Sequence, residues 1–125
     1  MNFATVDAFD LPEWLGTEPV TWAAVGLLDH SPHVRGDLTY ADGSLGLDLL
    51  AVDVAYPAPV CPEVARRSAH QAWRYGEVVL LEVEGRIVAG VPASQLDVDL
   101  VCEALRRVAK AVGAPVGNFT VSIAL

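Results

Sequence analysis

Glu77-Val78-Val79-Leu80-Leu81-Glu82-Val83-Glu84-Gly85-Arg86-Ile87-Val88-Ala89-Gly90-Val91 is the stretch on which the fold turns. Two short runs rich in Val, Leu and Ile flank Glu84-Gly85, a pair suited to a tight two-residue turn. That predicts a β-hairpin. Both arms are apolar at successive positions, not at alternate ones. Successive strand side chains point to opposite faces, so each arm offers apolar surface both above and below the sheet.

Toward the C-terminus, Leu96, Leu100, Val101, Ala104, Leu105, Val108 and Val112 form a helical stripe. Ser94 is a candidate cap, with Asp97 three residues on. Asp97 and Asp99 fall early and Arg106, Arg107 and Lys110 late, which complements the helix dipole. Glu103 and Arg107 stand at an i,i+4 spacing, and Gly113 and Pro115 end the helix. Residues 118–125 alternate, with Phe119, Val121, Ile123 and Leu125 on one face, and predict a closing strand.

Toward the N-terminus, Gly76 stops a helix over residues 62–75, whose first turn accommodates Pro62. Val64, Ala65, Ala69, Ala72 and Trp73 make its apolar face, and Arg66, Arg67, His70 and Arg74 the opposite one. Residues 56–60 read as a proline-stiffened connector. Before it, Val34, Leu38 and Tyr40 alternate with Arg35, Asp37 and Thr39, and Ala41-Asp42-Gly43-Ser44 turns the chain back. The return strand starts with Leu45, Leu47 and Leu49 inward and Asp48 outward, then continues with Leu50, Val52, Val54 and Tyr56 inward. A period of two cannot change phase without an extra residue, so a β-bulge is expected at Leu49-Leu50. Residues 20–28 read as a strand buried on both sides.

Residues 1–16 carry Phe9, Leu11, Trp14 and Leu15 around a turn that Asp10 caps and Gly16 stops. They read as a lid over one end of the core, with a partner-docking segment as the alternative.

The resulting order is β-β-β-α-β-β-α-β in one α+β domain spanning residues 1–125. Hairpins dominate, so the expectation is a mainly antiparallel sheet of about six strands with two helices on one face. Two β-β-α units, 34–75 and 77–113, follow each other without residue-level repetition. A sheet covered on one face only would leave apolar surface bare. A homo-oligomer, most simply a dimer, is therefore expected.

Composition narrows the function classes. At 53% hydrophobic over 125 residues the chain can bury a core, which argues against disorder. The longest uncharged apolar candidate, residues 19–28, is about half the length a spanning helix needs. The first ten residues carry Asp7 and Asp10 and no base, unlike a signal peptide, so a cytoplasmic location is expected. The formal net charge is −8, and residues 1–60 hold nine acids against Arg35 alone. Such a surface repels nucleic-acid phosphates and anionic membranes, and suits a basic protein partner or simple solubility. Cys61 and Cys102 make no disulfide framework and read as reduced, packed thiols.

Asp29-His30-Ser31-Pro32-His33, with Cys61, is a weak metal pattern, because the H-x-x-H lies in a proline loop without supporting geometry. No metal or cofactor is expected. Asp48 and Asp53 stand roughly 17 Å apart on an extended strand, too far for a carboxylate pair. The compact cationic stripe of Arg66, His70 and Arg74 beside Trp73 is the candidate ligand site, with Trp22 and Tyr56 nearby. The leading expectation is a non-catalytic oligomeric interaction domain. Its cations Arg66, Arg67, Arg74, Arg106, Arg107 and Lys110 would meet acids of another chain's first half. The alternative is a small anionic-ligand-binding protein or enzyme working at the first helix. A third reading is an acidic decoy for a basic partner.

Overall fold

The structure, a computed structural model, describes residues 3–27, 32–52, 63–115 and 117–124. The Glu84-Gly85 hairpin is present. Both turn residues have positive φ, 51° and 79°, as a mirror-image two-residue turn requires. They join β6 (Val79–Val83) to β7 (Arg86–Val91).

Before this hairpin lie β1 (Phe3–Thr5), a 3-10 turn (Ala8–Asp10), α1 (Trp14–Thr17) and β2 (Val20–Leu27). There follow β3 (His33–Val34), β4 (Gly36–Tyr40), β5 (Gly43–Ala51) and α2 (Glu63–Arg74). After the hairpin come α3 (Val98–Ala111) and β8 (Phe119–Ala124). Among the described residues the fold is α+β with a mixed sheet of eight strands. The order is β1-β6-β7-β5-β4-β2-β8, with β3 also on β5. Hairpin neighbours pair antiparallel, but β5–β7 and β2–β8 are parallel. The sheet is thus larger and less uniformly antiparallel than expected. The long connections through α2 and through α3 allow parallel neighbours, which tight turns cannot.

The helices do not share a face. Leu47, Leu49 and Ala51 of β5, with Ile87, Ala89 and Val91 of β7, pack with Val101, Ala104, Leu105 and Val108 of α3. Leu50 and Val52, with Val88 of β7 and Leu81 of β6, pack on the other side against Ala65 and Ala69 of α2. A Cβ added at Gly90 would stand 3.3 Å from that of Ala69, so the missing side chain lets α2 lie close. The two β-β-α units meet at the β5–β7 pair, their first strands flank it, and their helices lie on opposite faces. A two-fold axis running along the strands between β5 and β7 has this effect, because it turns the sheet over.

This arrangement shelters both sides of the central strands within one chain. The bare face on which the oligomer expectation stood is therefore not what this sheet presents. It also removes the expected bulge. Leu49 and Leu50 pair in regular register with Ala89 and Gly90 of β7, and with Val34 and His33 of β3. The apolar phase changes because α2 begins to cover the second face there, so the strand becomes buried on both sides. The irregularity lies elsewhere: β2–β8 pairing shifts register between Ala23 and Leu27, beside Gly26 at φ 113°.

Both long helices end in the same way. Glu77 N–H bonds Ala72 O and Gly76 N–H bonds Trp73 O; Ala114 N–H bonds Ala109 O and Gly113 N–H bonds Lys110 O. These are Schellman closures, with Gly76 and Gly113 in the left-handed region. The cap of α3 is Asp97, whose carboxylate accepts from Leu100 N–H at 2.8 Å, and not Ser94. The 3-10 turn is capped by Asp7, and Gly16 lies inside α1, where a Cβ would meet Val112 O at 2.6 Å. In the N-terminal segment Leu15 is fully buried and Trp14 stacks on Tyr40, ring centroids 4.4 Å apart.

Candidate functional site

The Schellman closure ends α3 at Gly113, and the chain then turns through Gly117, at φ 92°, into β8. There β8 pairs parallel with β2 and forms one margin of the sheet. Phe119 and Val121 of β8 face α3 and are half-buried. On α3, Cys102, Leu105, Arg106, Ala109 and Lys110 recur at helical spacing, and with Gly113 just beyond its end they line the same space. Between helix and strand runs a groove of about 620 Å³. Its floor is Leu105, Ala109, Phe119 and Val121, and its rim carries Arg106 and Lys110. Arg106 is bonded to Glu103 one turn back, and Lys110 is exposed.

Among the described residues, that lining holds apolar groups, two cations and one thiol, and no carboxylate, imidazole or hydroxyl. It suits recognition of an apolar side chain carried among acids. A smaller recess of about 360 Å³ lies between the N-terminal turn and the end of α3, and Gly113 borders both spaces.

A second polar centre lies on the face that α2 covers in part. Asp48 of β5 is only 4% exposed. Its carboxylate accepts from Arg86 Nη2 at 2.8 Å and Nε at 3.1 Å, from Gly36 N–H at 3.2 Å, and lies 3.3 Å from His33 Nε2. Arg86 also donates to Gly36 O at 2.9 Å and pairs with Asp37 at 3.4 Å. Burial pushes the Asp48 carboxyl up, but the hydrogen bonds from Arg86 and Gly36 and the guanidinium charge outweigh it. The net effect holds Asp48 below the usual carboxylate value. Two glycines make room. A Cβ at Gly46 would collide with the Arg86 guanidinium at 2.6 Å, and one at Gly36 with the Trp22 indole at 2.3 Å. Trp22 lies on the opposite face and donates from Nε1 to Leu47 O at 2.8 Å. The centre ties β3, β4, β5 and β7 together through side-chain bonds.

The α2 residues singled out from sequence are placed as follows. Arg66 is half-buried, and Arg74 is exposed at the last turn. The His70 ring bonds the Val52 carbonyl through Nε2 at 3.1 Å. Trp73 packs on the main core under the Arg107 guanidinium, 3.6 Å from the ring centroid. Arg107 also donates to Trp73 O and Glu77 O at 2.8 and 3.0 Å, tying α3 to the end of α2. Of the six cations, Arg67 pairs with Glu63, and Arg106 and Arg107 with Glu103. Asp29, His30, Cys61, Asp53 and Tyr56 lie outside the described residues. Among the described residues no three His, Cys, Asp or Glu side chains gather to hold a metal ion, and no helix is long and apolar enough to cross a membrane.

Both centres left traces in the sequence that periodicity alone does not decode. Asp48 is an acid inside a leucine run, and a charge there needs a partner. Gly113, Pro115 and Gly117 lie between α3 and β8 and line the groove. Comparison with protein-family models, curated proteins and solved structures finds no match.

Proposed function

We propose that this chain is a protein-interaction domain that receives its partner in the groove between α3 and β8. The observation that carries the reading is an apolar floor framed by Arg106 and Lys110 at the margin of the sheet. An aromatic or aliphatic anchor flanked by acids meets both features.

The test is an amide chemical-shift titration with short peptides that carry one Phe or Trp among acidic residues. The amides of Leu105, Ala109 and Val121 are expected to move and saturate, and Ala109→Glu to remove the response. Peptide in large excess that leaves those amides in place would overturn the reading.

A second reading keeps α2 as an anion-binding face. It is favoured by the unbroken helix over Glu63–Arg74, which sets Arg66, His70 and Arg74 on successive turns of one side. Phosphate or small carboxylates would then raise the Tm, and Arg74→Ala would abolish the rise. An unchanged response in that variant sinks this alternative.

A further inference from the structure

The N-terminal turn presents a side chain that its own fold does not use. Phe9 is 92% exposed, on a turn that is otherwise well formed. Asp7 accepts from Phe9 N–H at 3.0 Å, Asp10 N–H bonds Asp7 O at 2.9 Å, and Leu11 N–H bonds Ala8 O at 3.2 Å. Ala8 and Leu11 pack inward on the main core, which fixes the turn and leaves the ring exposed at the rim of the smaller recess. A single exposed apolar residue is ordinary on a protein surface. Here, however, the ring is displayed on a capped turn and flanked by Asp7, Asp10 and Glu13, the composition that the groove is shaped to receive.

We propose that the occupant of the α3–β8 groove is the Phe9 turn of a second copy of this chain, and that two copies close into a dimer by exchanging these turns. The inference rests on the groove reading above and names its partner. Three observations carry it. The first is fit. The groove's volume, about 620 Å³, admits an aromatic ring together with the turn that bears it. The second is charge. Acids flank the ring, and Arg106 and Lys110 rim the groove. The first 60 residues as a whole hold nine acids against one base, so contacts from that half favour a cationic receiver. The third is position. The recess that Phe9 borders and the groove share Gly113, so donor and receiver lie side by side at one end of the molecule. Adjacent complementary features let one two-fold axis satisfy both at once. Features on opposite ends would instead give an open chain of subunits.

Light scattering coupled to size-exclusion chromatography at micromolar concentration is the experiment. The wild-type chain is expected at twice its own mass. Phe9→Asp is expected to run as a monomer, with the dissociation constant raised about a thousandfold, because each dimer loses two aromatic anchors. Lys110→Glu, at an exposed position, is expected to weaken the dimer, and Asp10→Lys in the same chain to restore it. Mixing Phe9→Asp with Ala109→Glu supplies one intact turn and one intact groove, and a heterodimer weaker than wild type is expected. A wild-type monomer, or a dimer that Phe9→Asp leaves intact, overturns the proposal. If acidic aromatic peptides still bind the groove of that monomer, the interaction-domain reading stands and only the self-association falls. If they do not, both fall.

Discussion

The two faces of the sheet are built on different terms. On the first, α3 and the N-terminal segment cover strands from β6 across to β8, with Trp22, Leu38 and Leu49 fully buried beneath them. On the second, α2 covers only β5, β6 and β7, through Ala65 and Ala69. The rest of that face carries Thr21, Asp37, Thr39, Ser44, Thr120 and Ser122 and meets solvent. Asp48 and Arg86 stand on the boundary between the dry and the wet half. One face thus holds the sheet by volume and the other by a polar clamp, and the two should respond differently to mutation and to pH.

The largest effect is expected on the first face. Trp22→Ala removes a fully buried indole and its bond to Leu47 O and is expected to cost about 4 kcal/mol in urea unfolding. Trp22→Phe keeps most of the volume and is expected to lose about 2 kcal/mol. If both variants lose less than Arg86→Ala does, the ranking of the faces is wrong.

Arg86→Ala comes next, at about 3 kcal/mol, because it leaves the Asp48 carboxylate buried without its main counter-charge. Asp48→Asn is expected to cost about half as much, since an amide oxygen still accepts from Gly36 N–H and carries no charge. The reverse order would show that the carboxylate, and not its neutralisation, governs this face.

The same clamp gives the acid limb of stability. Folding lowers the Asp48 pKa, so protonation favours the unfolded chain. The contribution is whole above about pH 4, the unfolded value, and is lost as pH falls through the lower folded value. Urea midpoints between pH 6 and pH 2 are expected to fall less steeply for Asp48→Asn than for wild type. Equal slopes would remove Asp48 as the cause.

How much of this was legible follows from what each signal measures. The hairpin at Glu84-Gly85, α2, α3 and β8 were readable, because turn chemistry, caps and periodicity are local. The face each helix covers was not. Leu80 and Leu81 look alike in sequence, yet one belongs to the core under α3 and the other to the core under α2. The same two-sided cover made the β5 phase change resemble a bulge. Asp48 read as solvent-facing because alternation reports a face, and this face is dry where α2 and Arg86 reach it. The N-terminal turn reads as a lid, with docking as its alternative, because its apolar residues cannot be told apart in sequence; in the structure Leu11 and Leu15 turn inward while Phe9 is exposed.

The smallest expected effect tests the joint between the two faces. Arg107 leaves α3, lies over Trp73 and bonds the carbonyls of Trp73 and Glu77 at the end of α2, so it couples one layer to the other. Glu103 holds its Nε at 3.0 Å, in a partly exposed i,i+4 pair. Glu103→Gln is expected to cost only about 0.5 kcal/mol globally. Its local effect should be larger than that figure suggests, because the guanidinium loses the contact that aims it. Amide exchange at Gly76 and Glu77, the closure of α2, is expected to quicken, while exchange at Gly113 and Ala114, the closure of α3, stays at its wild-type rate. Equal acceleration at both ends would mean that Glu103 steadies α3 alone and that the layers are joined by other contacts.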